Sequence, residues 1–222
     1  MRIESLDHVA LWVSDRDAIA RAATSRLGMH VIELTHAFTL VGSAARHGKL
    51  TLFAADAPRE RGALKHVALR VSDLAAAHEN FAADDAELPD GLVLKLVEAP
   101  TEVEFDLDHV ALYSRDPAAT AQAYLDLGFV PAEPSADGNA RVEAAGAFVE
   151  FHDGDPGDPE RPLLNHVAVL VPSADEFLAE ANDVKLEIDK VVDAENTKAV
   201  FVNGPEGVKI EYVEHKATFS LV

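Results

Sequence analysis

Apolar and polar positions alternate along residues 107–114 as they do in a half-buried strand. Asp116-Pro117 then opens a helix, with Asp as its N-cap and Pro at the first helical position. Residues 118–127 continue it, with Ala121, Tyr124 and Leu125 at helical spacing, and Gly128 stops it. Phe129-Val130 and two short strand-like runs near 140–142 and 147–151 complete a β-α-β-β-β unit.

The same order recurs. Residues 6–13 read as a strand, 15–27 as a helix stopped by Gly28, and 31–34, 38–41 and 50–53 as strands. A further unit runs from 163 to about 214, with a helix over 174–182 and strands near 187–192, 199–202 and 208–213. The unit at 64–99 is shorter. After a helix near 74–83 it leaves room for little more than a strand at 92–97, so its middle strands are expected to be lost. Each unit opens on one phrase: Asp7-His8-Val9-Ala10, Lys65-His66-Val67-Ala68, Asp108-His109-Val110-Ala111 and Asn165-His166-Val167-Ala168, with starts 58, 43 and 57 residues apart. That is an internal repeat of one supersecondary unit.

One βαβββ unit buries a single face of its curved sheet, so units are expected to work in pairs. Residues 100–104 read as a linker, which predicts a first paired-module domain over 1–100 and a second over 101–222.

Composition narrows the chemistry. The 222 residues include no cysteine, which removes disulfides, thiolate metal sites and cysteine nucleophiles and leaves any metal a nitrogen and oxygen shell. The formal net charge of −20 argues against nucleic acid and anionic membranes as partners. The acidic run at 153–158 reads as a solvated face. Acid in such excess also suggests adaptation to high salt, a hypothesis that equal stability in dilute buffer and in molar salt would sink. No long apolar run and no signal-like start are present, so a cytoplasmic protein is expected.

Four βαβββ modules, each opening on a histidine strand, resemble the vicinal oxygen chelate superfamily of glyoxalases, epimerases, extradiol dioxygenases and bleomycin or fosfomycin resistance proteins. The resemblance covers nearly the whole chain. It implies an α+β fold of tandem βαβββ modules, paired into two curved mixed-sheet half-barrels with helices outside. It also implies one divalent metal (Zn, Mn, Ni, Co or Fe) held by residues of the first and last strands of two paired modules. In the second half these positions are His109 and His166, Glu150 in the segment 146–151, and Glu211 after the Gly204-Pro205-Glu206-Gly207 turn. In the first half, His8 and His66 are matched by Leu52 and Lys95, so that half is expected to be degenerate and without metal.

By the same resemblance, Glu211 with Glu150 as partner would move a proton next to a carbonyl, as in an isomerase or lyase acting through an enediolate or enolate. An Fe(II) extradiol dioxygenase using His109, His166 and Glu211 is the alternative, and its departures are Phe201 near where that family has a tyrosine and His152 as an insecure counterpart of its further histidine. A non-catalytic small-molecule binding protein is a third reading. The partner in every case is a small molecule, and the chain is expected to be a monomer or homodimer.

Overall fold

The computed structural model describes residues 2–77 and 85–220. Module one supplies β1 (Ser5–Val13), α1 (Arg16–Leu27), β2 (His30–Leu34), β3 (Phe38–Gly42) and β4 (Lys49–Ala54). Module two supplies β5 (Leu64–Val71), α2 (Leu74–Ala77), β6 (Asp85–Glu87) and β7 (Val93–Glu98). Module three supplies β8 (Asp106–Ser114), α3 (Pro117–Leu125), β9 (Val130–Pro131), β10 (Ala140–Ala144) and β11 (Ala147–Asp153). Module four supplies β12 (Leu164–Leu170), α4 (Ala174–Asp183), β13 (Ile188–Asp193), β14 (Thr197–Asn203) and β15 (Lys209–His215).

The local signals act as the sequence predicts. Asp15, Asp116 and Ser173 each cap a helix by accepting from the N–H three residues on, and Gly28 closes α1 with φ 71°. The helix expected at 74–83 is described only through Ala77; residues 78–84 lie outside the described residues. Among the described residues module two has one short extra strand, β6, before β7.

The strands form two mixed sheets. One runs β13-β14-β15-β12-β1-β4-β3-β2 and the other β6-β7-β5-β8-β11-β10-β9. Module one therefore shares a sheet with module four, and module two with module three. Sheet pairing within 1–100 and within 101–222 is not what the strands adopt. At the first junction β1 lies antiparallel to β12, with Ala10 opposite His166. At the second β5 lies antiparallel to β8, with Ala68 opposite His109. The reason is topological: the segment 99–105 delivers β8 alongside β5, which leaves β1 and β12 to pair with each other.

Consecutive modules meet in another way, through the turns that precede their last strands. Asp90, in the turn Pro89–Gly91, accepts from the Ser14 N–H and hydroxyl at 2.5 and 2.6 Å. Glu206, in the turn Pro205–Gly207, accepts from Arg115 N–H at 2.9 Å and its guanidinium at 3.0 Å. One apolar cluster runs through both sheets, including Leu11, Val67, Val110 and Val167. Tyr212 joins modules three and four inside it: the ring stacks on Phe177 at 3.7 Å and the hydroxyl donates to the Leu127 carbonyl at 2.5 Å.

Strand alternation then sorts the side chains. On the eight-stranded sheet Val9, Leu11, Leu50, Leu52, Val167, Val169, Ile210 and Tyr212 enter the core. Their neighbours His8, Trp12, Thr51, Phe53, His166, Phe201 and Glu211 face a cavity of about 630 Å³ on the opposite side.

Candidate metal centre

Three donor atoms from three strands converge in that cavity. His8 comes from β1, His166 from β12 and Glu211 from β15. The two imidazole Nε2 atoms are 3.1 Å apart, and Glu211 Oε2 lies 3.2 Å from His8 Nε2 and 2.7 Å from His166 Nε2. Among the described residues this is the one group of three or more such side chains whose donor atoms all lie within 4.8 Å of one another.

The residue before each histidine sets its tautomer. The Asp7 carboxylate accepts from His8 Nδ1 at 2.8 Å, and Asn165 Oδ1 faces His166 Nδ1 at 3.0 Å. Each Nδ1 thus carries its proton, and each neutral ring turns a bare Nε2 lone pair toward the other ring and toward a carboxylate oxygen. Three acceptors facing one another in a buried place repel unless a cation or a proton lies between them. Without a metal, His8 supplies that proton. Burial alone would lower its pKa, but the hydrogen bonds and charges of Asp7 and Glu211 raise it to about 9. Burial likewise opposes ionisation of Glu211, yet the neighbouring His166 and His8 hold its carboxyl well below the usual range. Burial lowers His166, opposed by the Glu211 charge. Two imidazoles and one carboxylate, each ring oriented by a hydrogen bond behind it, fit a divalent transition-metal ion.

Behind His8 the support is unusually polar. Asp7 is 2% exposed; both its oxygens accept from Lys49 Nζ, at 2.8 and 2.9 Å, and His215 Nε2 stands 3.1 Å from the oxygen that His8 leaves free. The rings of Phe53 and Phe201 flank His166, at centroid distances of 6.4 and 5.2 Å.

The four residues expected to share one metal are divided between the two sheets. His166 and Glu211 lie in the cavity; His109 and Glu150 lie on the seven-stranded sheet. There His109 Nε2 meets His66 Nε2 at 2.9 Å, while Glu150 engages His152 Nε2 at 2.7 Å and accepts from Asn139 at 3.1 Å. His152 in turn accepts from Lys65 Nζ at 2.8 Å. The strand registers show what occupies each equivalent place. Glu211 stands opposite Ala168, Glu150 opposite Ala111, Lys95 opposite Ala68 and Thr51 opposite Ala10. The match of Lys95 to Glu211 holds, but Glu150 corresponds to Thr51 and not to Leu52. One site therefore has two histidines, a glutamate and a threonine. The other has two histidines, a glutamate and a lysine. His8, from the half expected to be degenerate, is a member of the triad. The signal that could have flagged it is the residue before each histidine: Asp7, Asp108 and Asn165 can each hold Nδ1, whereas module two has Lys65 there.

Residues 5–95 match the family model of the Glyoxalase/Bleomycin resistance protein/Dioxygenase superfamily. The matched stretch spans modules one and two, and the whole chain has the glyoxalase fold of two curved sheets with helices outside. A Bacillus subtilis protein provisionally described as a dioxygenase superposes with a TM-score of 0.78 at 14% identity, covering 98% of this chain and 87% of that one. Glyoxalase I from Zea mays gives 0.73 at 16% identity, covering 95% and 92%. The cppA protein of Streptococcus pneumoniae TIGR4 gives 0.62 at 13%, covering 96% and 100%. At these identities the likeness is one of fold. No curated protein matches the chain in sequence. Among the described residues no helix is long and apolar enough to cross a membrane.

Proposed function

We propose that this vicinal oxygen chelate protein is a metal-dependent enzyme of the dioxygenase branch, with one divalent ion, Fe(II) in the working enzyme, held by His8, His166 and Glu211. The observation that carries this reading is Thr51. It occupies the strand position at which a second carboxylate would complete a four-residue set, and its side chain is neutral. Two histidines and one carboxylate with the remaining sides open is the donor set of non-haem iron oxygenases. An isomerase or lyase of the kind expected from the sequence uses Glu150 as a second carboxylate and fourth ligand, and Glu150 lies on the other sheet. A bound ion would supply Lewis acidity and open positions for neighbouring oxygens of a small molecule.

The chain's own residues do the rest. Asp7 and Asn165 fix the ring orientations, so that both Nε2 atoms point into the cavity. Phe53 and Phe201 wall the histidine off from bulk water, which strengthens every electrostatic interaction at the site. The Thr51 hydroxyl, with no hydrogen bond to another described residue, is available to a substrate oxygen.

The deciding experiment loads chelator-treated protein with Fe(II) and follows oxygen uptake across a panel of catechols and 2-oxo acids. Uptake that disappears in Glu211→Ala supports the reading. Turnover of a hemithioacetal under nitrogen, with no oxygen uptake on any member of the panel, overturns it in favour of the isomerase.

A further inference from the structure

Lys190 is out of place in this protein's electrostatics. Acidic residues outnumber lysines and arginines 39 to 19, and the lysines near it in module four are neutralised. Lys198 pairs with Asp175 at 2.6 Å, Lys209 with Asp189 at 2.7 Å, and Lys216 with Asp193. The ammonium of Lys190, on β13, makes no ion pair or hydrogen bond with another described residue. Its ammonium lies over the ring of Phe201 at 4.3 Å, the same ring that meets His166 edge-on at 5.2 Å. The ammonium, the phenyl ring and the imidazole thus form one column that ends in the donor triad, and all three line the cavity.

A free cation held on an aromatic face is a poor contributor to stability but a good receptor for an anion. It matters more here than elsewhere, because a protein of charge −20 repels anions over most of its surface. The other charges around the cavity do not remove the asymmetry. Lys49 is committed to Asp7 and Lys209 to Asp189. Arg161, in the loop on the cavity lining, makes no ion pair with its neighbour Glu160 among the described residues and adds to the positive side of the cavity. Glu33 is on β2, at the far edge of the sheet from β13.

We infer that the cavity takes an organic anion, its carboxylate or equivalent charged group held by Lys190 and its flat apolar body between Phe201 and Phe53. The inference rests on the reading of the cavity as the reaction site, but not on the identity of the metal. Lys190 is a specificity-determining residue in this scheme: it selects charge at the mouth of the cavity, while the triad lies at its floor.

The test needs neither metal nor turnover. Trp12, the chain's single tryptophan, lines the same cavity and reports on occupancy. Chelator-treated protein is titrated with benzoate and with its neutral isostere benzamide, by tryptophan fluorescence and by calorimetry. Benzoate binds more tightly than benzamide. Lys190→Met weakens benzoate about tenfold and leaves benzamide unchanged, Lys190→Arg restores most of the difference, and Lys198→Met, with the same change in net charge, has no effect. Equal affinity for the two probes, no benzoate binding up to millimolar concentration, or the same loss in Lys190→Met and Lys198→Met each overturns the inference. Metal content is measured on portions of the same preparations after reloading with Fe(II) and removal of excess ion. Failure to bind metal with the benzoate preference intact would remove the proposed reaction and leave the anion site standing; the reverse outcome would do the opposite.

Discussion

His8 Nε2 and His166 Nε2 face each other at 3.1 Å, although 158 positions separate the two residues in the chain. Each is turned by the residue before it, and Glu211 closes the third side. Metal stoichiometry tests whether this is the centre. Purified protein, stripped and reloaded, is expected to hold about one divalent ion per chain by elemental analysis. His8→Ala, His166→Ala and Glu211→Ala lose it. His109→Ala and Glu150→Ala keep it, because those residues sit on the other sheet beside Lys95 and Lys65. Retention in His8→Ala with loss in His109→Ala would place the ion among the residues first suggested by the sequence.

Asp7 has two duties, and they can be separated. It orients His8, and it neutralises Lys49, whose side chain is only 4% exposed. Burial alone would raise the Asp7 carboxyl, but Lys49, His215 and His8 hold it well below the ordinary carboxylate range. Asp7→Ala leaves a buried ammonium unpaired, at a cost of about 3 kcal/mol in stability, and, with no acceptor behind His8 Nδ1, weakens metal binding roughly tenfold to a hundredfold. In Asp7→Ala/Lys49→Met most of the stability should return, measured by urea unfolding, while metal affinity stays low. Recovery of both in the double variant would show that Asp7 acts on the metal only through the charge of Lys49.

Much of this was legible from pattern, and the misses have one cause. The modules, the caps at Asp15, Asp116 and Ser173 and the stop at Gly28 are local, and so were readable. The partner of each module is not local. β1, β5, β8 and β12 open on the same phrase, so nothing within a module says that β1 lies against β12. The error at Thr51 is smaller but instructive. Aligning Gly48 with Gly146 treats the two turns as equal, whereas His8 faces Lys49, one residue past its glycine, and His109 faces Phe148, two past its own. A slip of one residue exchanges the cavity face for the core face. It put Leu52, a core residue, where the threonine stands.

Two histidines, His66 on one sheet and His8 on the other, contribute to the pH dependence of the metal-free protein in opposite directions. For His66, burial together with the charges of His109, Lys95 and Lys65 lowers the pKa to about 3. Below the unfolded value of about 6.5 the unfolded chain therefore gains a proton that the folded protein refuses. Stability from this group falls as pH drops from 6.5 toward 3, with a ceiling of ~1.4 kcal/mol per pH unit that solvent screening reduces. His8 behaves in the reverse sense: with its pKa raised to about 9, its contribution is complete below 6.5 and is lost as pH climbs through 9. In chelator, stability should be greatest near neutrality. His66→Gln should reduce the slope of the acid limb, whose remainder comes from His166, Asp7 and Glu211, and His8→Gln should reduce that of the alkaline limb, by denaturant unfolding at fixed pH steps. A His66→Gln protein with an unchanged acid limb would mean that His66 is protonated in the folded state.

Cutting the chain between residues 100 and 101 tests the pairing of modules most directly. If consecutive modules made independent sheets, each piece would fold alone and 101–222 would bind the metal. The strand order predicts otherwise. The cut leaves β1 without β12 and β5 without β8, so each piece exposes two first strands whose edges had been paired. Such edges invite association and do not stand free in water. It also divides the triad, leaving His8 in one piece and His166 and Glu211 in the other. Neither piece alone is expected to give a cooperative unfolding transition or to bind metal, and a mixture refolded together should recover both. The readouts are denaturant unfolding and metal content after gel filtration. Cooperative unfolding and one bound ion in 101–222 alone would refute the nested arrangement, because His8 could not then be part of the site.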